Sequence, residues 1–466
     1  KITKKFTKLK GDTYSLLKIN DLLDDINDVA LSRQYEFINA SIVEKIDNDK
    51  INFNINISES EKFYIEKINI IGNFNTLEEV IRNNLIVDEG DPFNEILFNK
   101  SINNIQSLGI FKKVKTNIKD GKKDSFKEID IDVEERPTGE ISLTAGFGTT
   151  GETIGGGIKE NNFLGKGIKL NTNIELTPDS IKGQFIYAKP NFNYSDNTLF
   201  TSLRSSTSDF LDTSGYKTSD ISFSLGTKFE QFQNIFLSPE LDFLIEDLET
   251  SDKASTTLKK QEGSYTDLYF NYTVNQDLRD KKFRTESGYV TNFSQELPLI
   301  SDNSELSNAF EITNYKKLSS TSDMVGKVSF FGKTITGLSD DVRISKRLNV
   351  PSYKLRGFER GKIGPIENND YIGGNHITTL NLSATLPNIV QGLDNLDVGV
   401  FFDAANVWGV DYDSSIDDKS TIRSSTGVAL NLMTPIGPLS FSFANALTKA
   451  SSDTTETFRF NLGTQF

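Results

Sequence analysis

From Gly139 to the last residue, apolar side chains recur at every second position, and this period constrains the fold more than any other feature of the chain. Ile168, Leu170, Thr172, Ile174 and Leu176 oppose Lys169, Asn171, Asn173 and Glu175, and the alternation returns at Leu380, Leu382, Ala384 and Leu386. Strands have this period because successive side chains face opposite sides. Clusters of Asn, Asp, Ser, Gly and Lys separate the runs and mark turns. A soluble β-sandwich is shorter and needs a drier core.

The 466 residues are 36% hydrophobic and 25% charged, low for a large soluble core. A membrane barrel fits that deficit, because half of every strand faces water or a polar lumen. No run of 18 apolar residues appears, so no helix is expected to span a membrane. There is no cysteine, hence no disulfide framework or thiolate site. His376 is the only histidine and reads as a residue at the start of a strand; a zinc or catalytic histidine site is not expected. The 51 basic and 65 acidic residues give a net charge of −14, which argues against nucleic acid as a partner. The chain opens at Lys1 without a signal peptide and is expected to be a processed or truncated fragment.

Residues 1–137 mix helices and strands. Leu16, Leu17, Ile19, Leu22, Leu23 and Ile26 recur at helical spacing, and Ile51, Phe53, Ile55 and Ile57 then alternate as a strand. Phe63 to Ile71 predicts a strand, Thr76 with Glu79 predicts a capped helix, and Asn94 to Leu108 predicts a second amphipathic helix ended by Gly109. Lys112 to Ile118 and Phe126 to Val133 predict two closing strands. Residues 61–137 thus read as a complete β-α-α-β-β unit, and residues 1–60 as a partial one lacking its first strand and helix. Asp88 to Asp91 reads as a polar turn into a helix rather than a metal loop.

Several motifs suggest enzymes and fail in context. Gly146 to Gly151 satisfies GxGxxG, but Glu152 to Gly157 is a poor helix start, so a glycine-rich hairpin is expected. Gly332-Lys333-Thr334 ends like a phosphate loop, yet Lys327 stands where the first glycine should be. Glu305 and Glu311 have no nucleophile, base or metal-ligand partner suggested by spacing. No catalytic residue, metal or cofactor is expected, and the chain is not expected to be an enzyme.

The stretch Leu355-Arg356-Gly357-Phe358-Glu359-Arg360-Gly361 lies between alternating segments, in the place of a loop. Gly357, Gly361, Gly364, Pro351 and Pro365 give that loop a defined shape. On the strand that follows, Leu396, Val398, Val400 and Phe402 occupy one face, and Asp397, Gly399 and Asp403 the other. If the apolar face meets lipid, an arginine on an infolded loop needs a carboxylate such as Asp403 in the lumen.

The β-α-α-β-β order, with Gly72-Asn73 after its first strand, Glu89-Gly90-Asp91 before its second helix and Leu108-Gly109-Ile110-Phe111 at that helix's end, resembles the POTRA domain of outer-membrane assembly proteins. The tetrad Leu355-Arg356-Gly357-Phe358, with Ile363-Gly364-Pro365, Gly373-Gly374-Asn375, the run Phe401 to Trp408, Pro435-Ile436-Gly437-Pro438-Leu439 and the terminal Phe466, resembles the BamA family over essentially the whole chain. The tetrad alone is shared with TamA and two-partner secretion transporters; the Thr434 to Leu439 run and the strand ending in Phe466 favour the BamA family.

The resemblance implies a transmembrane antiparallel β-barrel of about 16 strands over 138–466, with a loop at about 338–373 folded inside, preceded by α+β POTRA domains. It implies the outer membrane of a Gram-negative bacterium, with the POTRA domains in the periplasm. The implied function is insertion of β-barrel proteins, without ATP, through a lateral seam between first and last barrel strands; a POTRA-containing secretion or porin-like channel is the alternative. Implied partners are unfolded outer-membrane protein clients, accessory assembly lipoproteins, outer-membrane lipid and periplasmic chaperones. Arg356 and Asp403 match the loop arginine and its lumen acid, while Ser383 stands where the family carries a second acid. The seam falls on Ile141, Leu143 and Phe147 of the first strand and on Phe458, Phe460, Gly463 and Phe466 of the last. Gly463, without a side chain, can bend inward and weaken pairing there.

Overall fold

The computed structural model describes residues 22, 25, 26, 29, 38–47, 50–59, 63–149, 151–282, 284–319, 324–386, 395–434 and 437–462. The chain forms two compact units, Lys1–Glu140 with Lys159–Leu170 and Lys189–Ser195, and Ile141–Ile158 with Asn171–Ala188 and Asp196–Phe466. Leu22, Asp25, Ile26 and Val29 are helical; the expected helix positions Leu16, Leu17, Ile19 and Leu23, like Pro435, Ile436, Gly463 and Phe466, lie outside the described residues.

In the first unit β1 (Ile38–Asp47) and β2 (Lys50–Glu59) pair antiparallel. Next come β3 (Tyr64–Ile71), α1 (Glu78–Arg82), α2 (Glu95–Ser107), β4 (Phe111–Asp120) and β5 (Phe126–Glu135). The sheet order is β3-β5-β4, with β3 parallel and β4 antiparallel to β5. Ile65 and Ile68 of β3 and Ile129, Ile131 and Val133 of β5 are buried against Val80, Ile81, Phe98 and Ile105 of the helices. Each side chain so removed from water contributes roughly 1.5–3 kcal/mol before ordering costs.

Thr76 does not cap α1, contrary to the sequence pattern. The N-cap is Leu77, which makes no side-chain cap bond. The chain leading into α1 is held instead by the Glu135 carboxylate, which accepts from the backbone N–H groups of Asn75 and Thr76, the latter at 2.7 Å. Burial pushes Glu135 up, but these donors outweigh it and leave its carboxyl below the ordinary value. Asn94 does begin α2, accepting from Leu97 N–H at 3.2 Å.

The second architecture is a closed sixteen-stranded barrel, to which both units contribute. It begins with β6 (Gly139–Gly148), β7 (Gly151–Phe163), β8 (Ile168–Thr177), β9 (Ser180–Lys189) and β10 (Thr198–Phe210). β11 (Tyr216–Phe232), β12 (Ile235–Thr250), β13 (Gly263–Asp277), β14 (Gly288–Ser301), β15 (Glu305–Lys317) and β16 (Val325–Gly337) continue it. A long connection then carries the hairpin β17 (Ile366–Glu367) and β18 (Asp370–Tyr371). β19 (His376–Thr385), β20 (Leu396–Trp408), β21 (Arg423–Thr434), β22 (Gly437–Thr448) and β23 (Phe458–Leu462) complete the barrel, and β23 pairs antiparallel with β6. Gly146 to Gly151 falls at the β6–β7 hairpin, and Gly332-Lys333-Thr334 lies within β16.

The barrel wall inverts the burial of a soluble protein. On β12, Leu241, Phe243 and Ile245 are exposed while Asp242 and Glu246 are buried; on β11, Phe223 is 51% exposed and its neighbour Ser224 1%. Apolar residues outside and polar ones inside suit strands surrounded by lipid. No helix among the described residues is long and apolar enough to cross a membrane.

Candidate functional site: an infolded loop and the barrel seam

The connection from Leu338 to Asn375 lies against inward-facing side chains of the strands. Leu355 and Phe358, each 2% exposed, pack with Val350, Ile363, Ile377, Ala405 and Val407, an apolar plug in a polar interior. Gly357 sits between them at φ +89°, where a Cβ would come within 3.1 Å of Ala444 and Ser425 side chains. Both conformation and space therefore require glycine there.

The structure brings Arg356 and Asp403 together. Asp403 is fully buried and accepts from Arg356 Nε at 2.7 Å, Arg356 Nη2 at 2.8 Å and the Arg356 backbone N–H at 3.2 Å. This two-pronged geometry is the strong form of a charge-assisted hydrogen bond. The guanidinium carbon also lies 3.4 Å from the Phe401 ring centre. Across from Asp403 stands Asn381, whose amide donates to Asp403 Oδ1 at 2.9 Å and to Lys354 C=O at 2.7 Å. Ser383 is opposite Phe401, two pairs further along. An amide thus fills the remaining acceptor capacity of Asp403.

Glu305 and Glu311 form ion pairs with basic residues of the loop. Arg343, fully buried, reaches Asp267 at 2.7 Å, Glu305 at 2.9 Å and Glu246 at 3.1 Å, and its guanidinium lies 4.5 Å from the Tyr265 ring centre. Lys354 reaches Glu311 at 2.6 Å. Arg347 binds Asp411, in the connection after β20, and Asn375 at 3.1 Å. Burial pushes the Asp411 carboxyl up, but the Val342 N–H, Arg347 and the Asn375 amide outweigh it and hold it below the ordinary aspartate range. Four basic residues of one loop therefore each meet an acid of the surrounding barrel. The signal available beforehand was the density of basic residues from Arg343 to Lys362 in an acidic chain.

At the seam, Asn461 stands opposite Gly148 and Leu462 opposite Phe147, and Thr149 N–H donates to Phe460 C=O at 3.0 Å. A Cβ at Gly148 would lie 2.4 Å from Phe460 O and from Asn461 Oδ1, so this approach requires glycine. Ile141, Leu143, Phe147 and Phe458 are exposed on the outer face. Phe147 meets Phe460 edge-on at 6.2 Å, and Phe441 stacks on Phe460 at 5.6 Å, so an aromatic row crosses the seam. Gly463 and Phe466 lie outside the described residues.

Arg459, on the inner face of β23, connects seam to loop. It is 6% exposed and donates to the carbonyls of Ser352 and Phe358, both at 2.6 Å, and to Glu456 at 2.8 Å. Backbone bonds from Glu456 N–H to Gly357 C=O and from Glu359 N–H to Thr454 C=O join the same loop to the segment preceding β23. Arg459 alternates with Phe458 and Phe460 along β23, and no local pattern in the sequence indicates its partners.

The lumen keeps a cavity of about 310 Å³ beside this loop, lined among others by Lys327, Lys354, Arg356, Glu311 and Asp397. Among the described residues no group of carboxylates and histidine has the arrangement of a metal site.

Residues 63–136 match the POTRA family profile, described as a surface antigen variable number repeat, and residues 162–466 match the Omp85 superfamily domain. The outer membrane protein assembly factor BamA of Neisseria meningitidis serogroup B is 24% identical over 525 residues, covering 100% of this chain and 64% of that protein. The BamA of Neorickettsia risticii is 25% identical, covering 90% of this chain and 57% of its own length. This chain thus spans less than two thirds of either relative. The crystal structure of BamA from Haemophilus ducreyi lacking POTRA domains 1–3 superposes with a TM-score of 0.74 at 22% identity, over 98% of this chain and 95% of that one. CdiB from Escherichia coli gives a TM-score of 0.58 at 13% identity, over 99% and 87%. With the superfamily profile matched across well over half of its length, the chain belongs to the Omp85 superfamily.

Proposed function

We propose that this protein folds and inserts β-barrel proteins into the outer membrane of a Gram-negative bacterium, through the seam between β6 and β23 and without ATP. The observation that carries the reading is the attachment of β23 to the infolded loop by Arg459, because it links the movable edge of the barrel to an element inside it. Opening the seam exposes backbone N–H and C=O groups to lipid, at several kcal/mol for each unpaired group. A client strand that pairs with the open edge satisfies those groups, and that gain drives capture without nucleotide hydrolysis.

The POTRA unit supplies a second edge, in the periplasm. The outer edge of β3 is covered by backbone bonds such as Ile65 N–H to Asp91 C=O at 2.9 Å, and the outer edge of β4 has no such cover among the described residues. Lys112, Lys113, Lys115 and Lys119 along β4 discourage pairing with a second copy while leaving the edge open to an extended client. Accessory lipoproteins and periplasmic chaperones complete the proposed set of partners.

The test uses the facing pair at the seam. The chain has no cysteine, so Phe147→Cys with Leu462→Cys creates a single possible disulfide at positions already opposite each other. In proteoliposomes the reduced protein should accelerate folding of unrelated client barrels, and the oxidised protein should return them to the rate of protein-free vesicles. Undiminished folding by fully cross-linked protein would sink the gating mechanism; conductance without client folding would favour a channel.

A further inference from the structure

Within the first unit, the segment after β3 is bound to the turn between β7 and β8. Leu77 N–H donates to Gly165 C=O at 2.8 Å, and Asn162 Nδ2 donates to Thr76 Oγ1 at 2.9 Å. A Cβ on Gly165 would fall 1.9 Å from Asn75 O, so the two segments are in backbone contact. Around this junction stand exposed apolar side chains: Phe74 at 92%, Leu164 at 69%, Leu77 at 43% and Phe163 at 38%. One exposed apolar residue needs no explanation, but a group of four from two segments does.

Leu164 sharpens the question. Its φ is +55°, a left-handed conformation that is uncommon for a bulky residue and cheaper for glycine or asparagine. The side chain gains no burial within the protein for that strain. Phe163 is the last residue of β7, a strand of the barrel wall, and Leu164 opens the turn that follows. Exposed Lys166 follows on the same turn and exposed Lys169 at the start of β8, the arrangement in which ammonium groups reach lipid phosphates while apolar neighbours enter the acyl boundary.

We propose that Phe74, Leu77, Phe163 and Leu164 form a membrane-immersed contact with the periplasmic leaflet of the surrounding phospholipid, so that the POTRA unit itself touches the bilayer. Phe74 is its tip and lies in the boundary between headgroups and acyl chains. The inference rests on the reading of the barrel as membrane-spanning.

The test places the only tryptophan at the tip. Phe74→Trp is combined with Trp408→Phe, since Trp408 is the single native tryptophan, and the full chain is reconstituted in phosphatidylethanolamine and phosphatidylglycerol vesicles. Emission from position 74 should shift to the blue and be quenched most by lipids brominated high on the acyl chain, at a depth of roughly 5–10 Å. A parallel protein with Ile245→Trp, on the lipid-facing side of β12, reports on the barrel. Quenching at 245 together with iodide-accessible, lipid-insensitive emission at 74 overturns the contact alone. Loss of lipid quenching at both positions overturns the membrane-spanning reading as well. If the tryptophan exchange at 408 prevents folding, Phe74→Cys carrying an environment-sensitive dye gives the same two outcomes in the otherwise native chain.

Discussion

Arg343 and Arg356 lie in one loop and meet the barrel in opposite electrostatic settings. Arg343 has no exposed surface and sits among Glu246, Asp267 and Glu305, from three strands of one wall. Arg356 is 21% exposed in its side chain and shares one carboxylate, Asp403, on another wall. The first site holds more negative than positive charge, and the second is balanced. Removing Arg343 leaves three buried carboxylates with weaker partners, Lys346 at 4.0 Å from Glu246, the Ser301 hydroxyl on Asp267 and the backbone N–H of residue 343 on Glu305, whereas removing Arg356 leaves one that still has the Asn381 amide. The difference assigns the loop a fixed end at Arg343 and a lighter hold near the seam at Arg356.

The largest effect should follow Arg343→Ala. Breaking a buried ion pair typically costs about 3–5 kcal/mol, and three acids that lose their shared guanidinium set the loss at the upper part of that range. Thermal unfolding in detergent, followed by the mobility of the folded barrel on gels, should show the greatest fall of any substitution in the loop. Protease should then cut between Leu338 and Asn375. Arg343→Lys should recover part of the loss, because an ammonium group supplies charge without the planar fork. An alanine variant as stable as the parent would break the comparison at its strong end.

Arg356→Ala and Asp403→Ala should each cost less than that, since the arginine is partly exposed and solvent screens it. Measured together they should be non-additive by roughly 0.5–3 kcal/mol, as expected of groups in direct contact. The same cycle read in client folding tests whether the hold near the seam matters to activity more than to stability. Strictly additive losses would mean that the hydrogen bonds between them contribute nothing.

The wall of the barrel was legible because each strand carries its own record, apolar outside and polar inside, in residues adjacent along the chain. Arg356 and Asp403 were legible for a related reason: an infolded arginine needs an acid, and Asp403 stands on the inward face of a clearly alternating strand. Arg343 was not, because its carboxylates come from positions 38, 76 and 97 residues away. Only strand register decides which inward acids share one level, and no local pattern encodes that. Thr76 failed as a cap for a similar reason, since Glu135 from the far end of the unit took the Thr76 N–H that Glu79 was expected to satisfy.

The sharpest test of coupling is expected from Arg459→Gln. Arg459 makes charged hydrogen bonds to the Ser352 and Phe358 carbonyls, and glutamine can replace one of them with a neutral bond. Charged bonds contribute about 1.5–3 kcal/mol and neutral ones about 0.5–1.5, so exchanging one for a neutral bond and losing the other should cost roughly 2–5 kcal/mol. A purely structural role would end there. If Arg459 instead transmits the loop's position to the seam, β23 should fray once released, and the oxidation yield of the Phe147→Cys and Leu462→Cys pair should fall well beyond what the stability change explains. Arg459→Lys, which keeps the charge and can still reach one carbonyl, should restore part of that yield. An unchanged yield in the glutamine variant would separate the loop from the seam and leave Arg459 as packing alone.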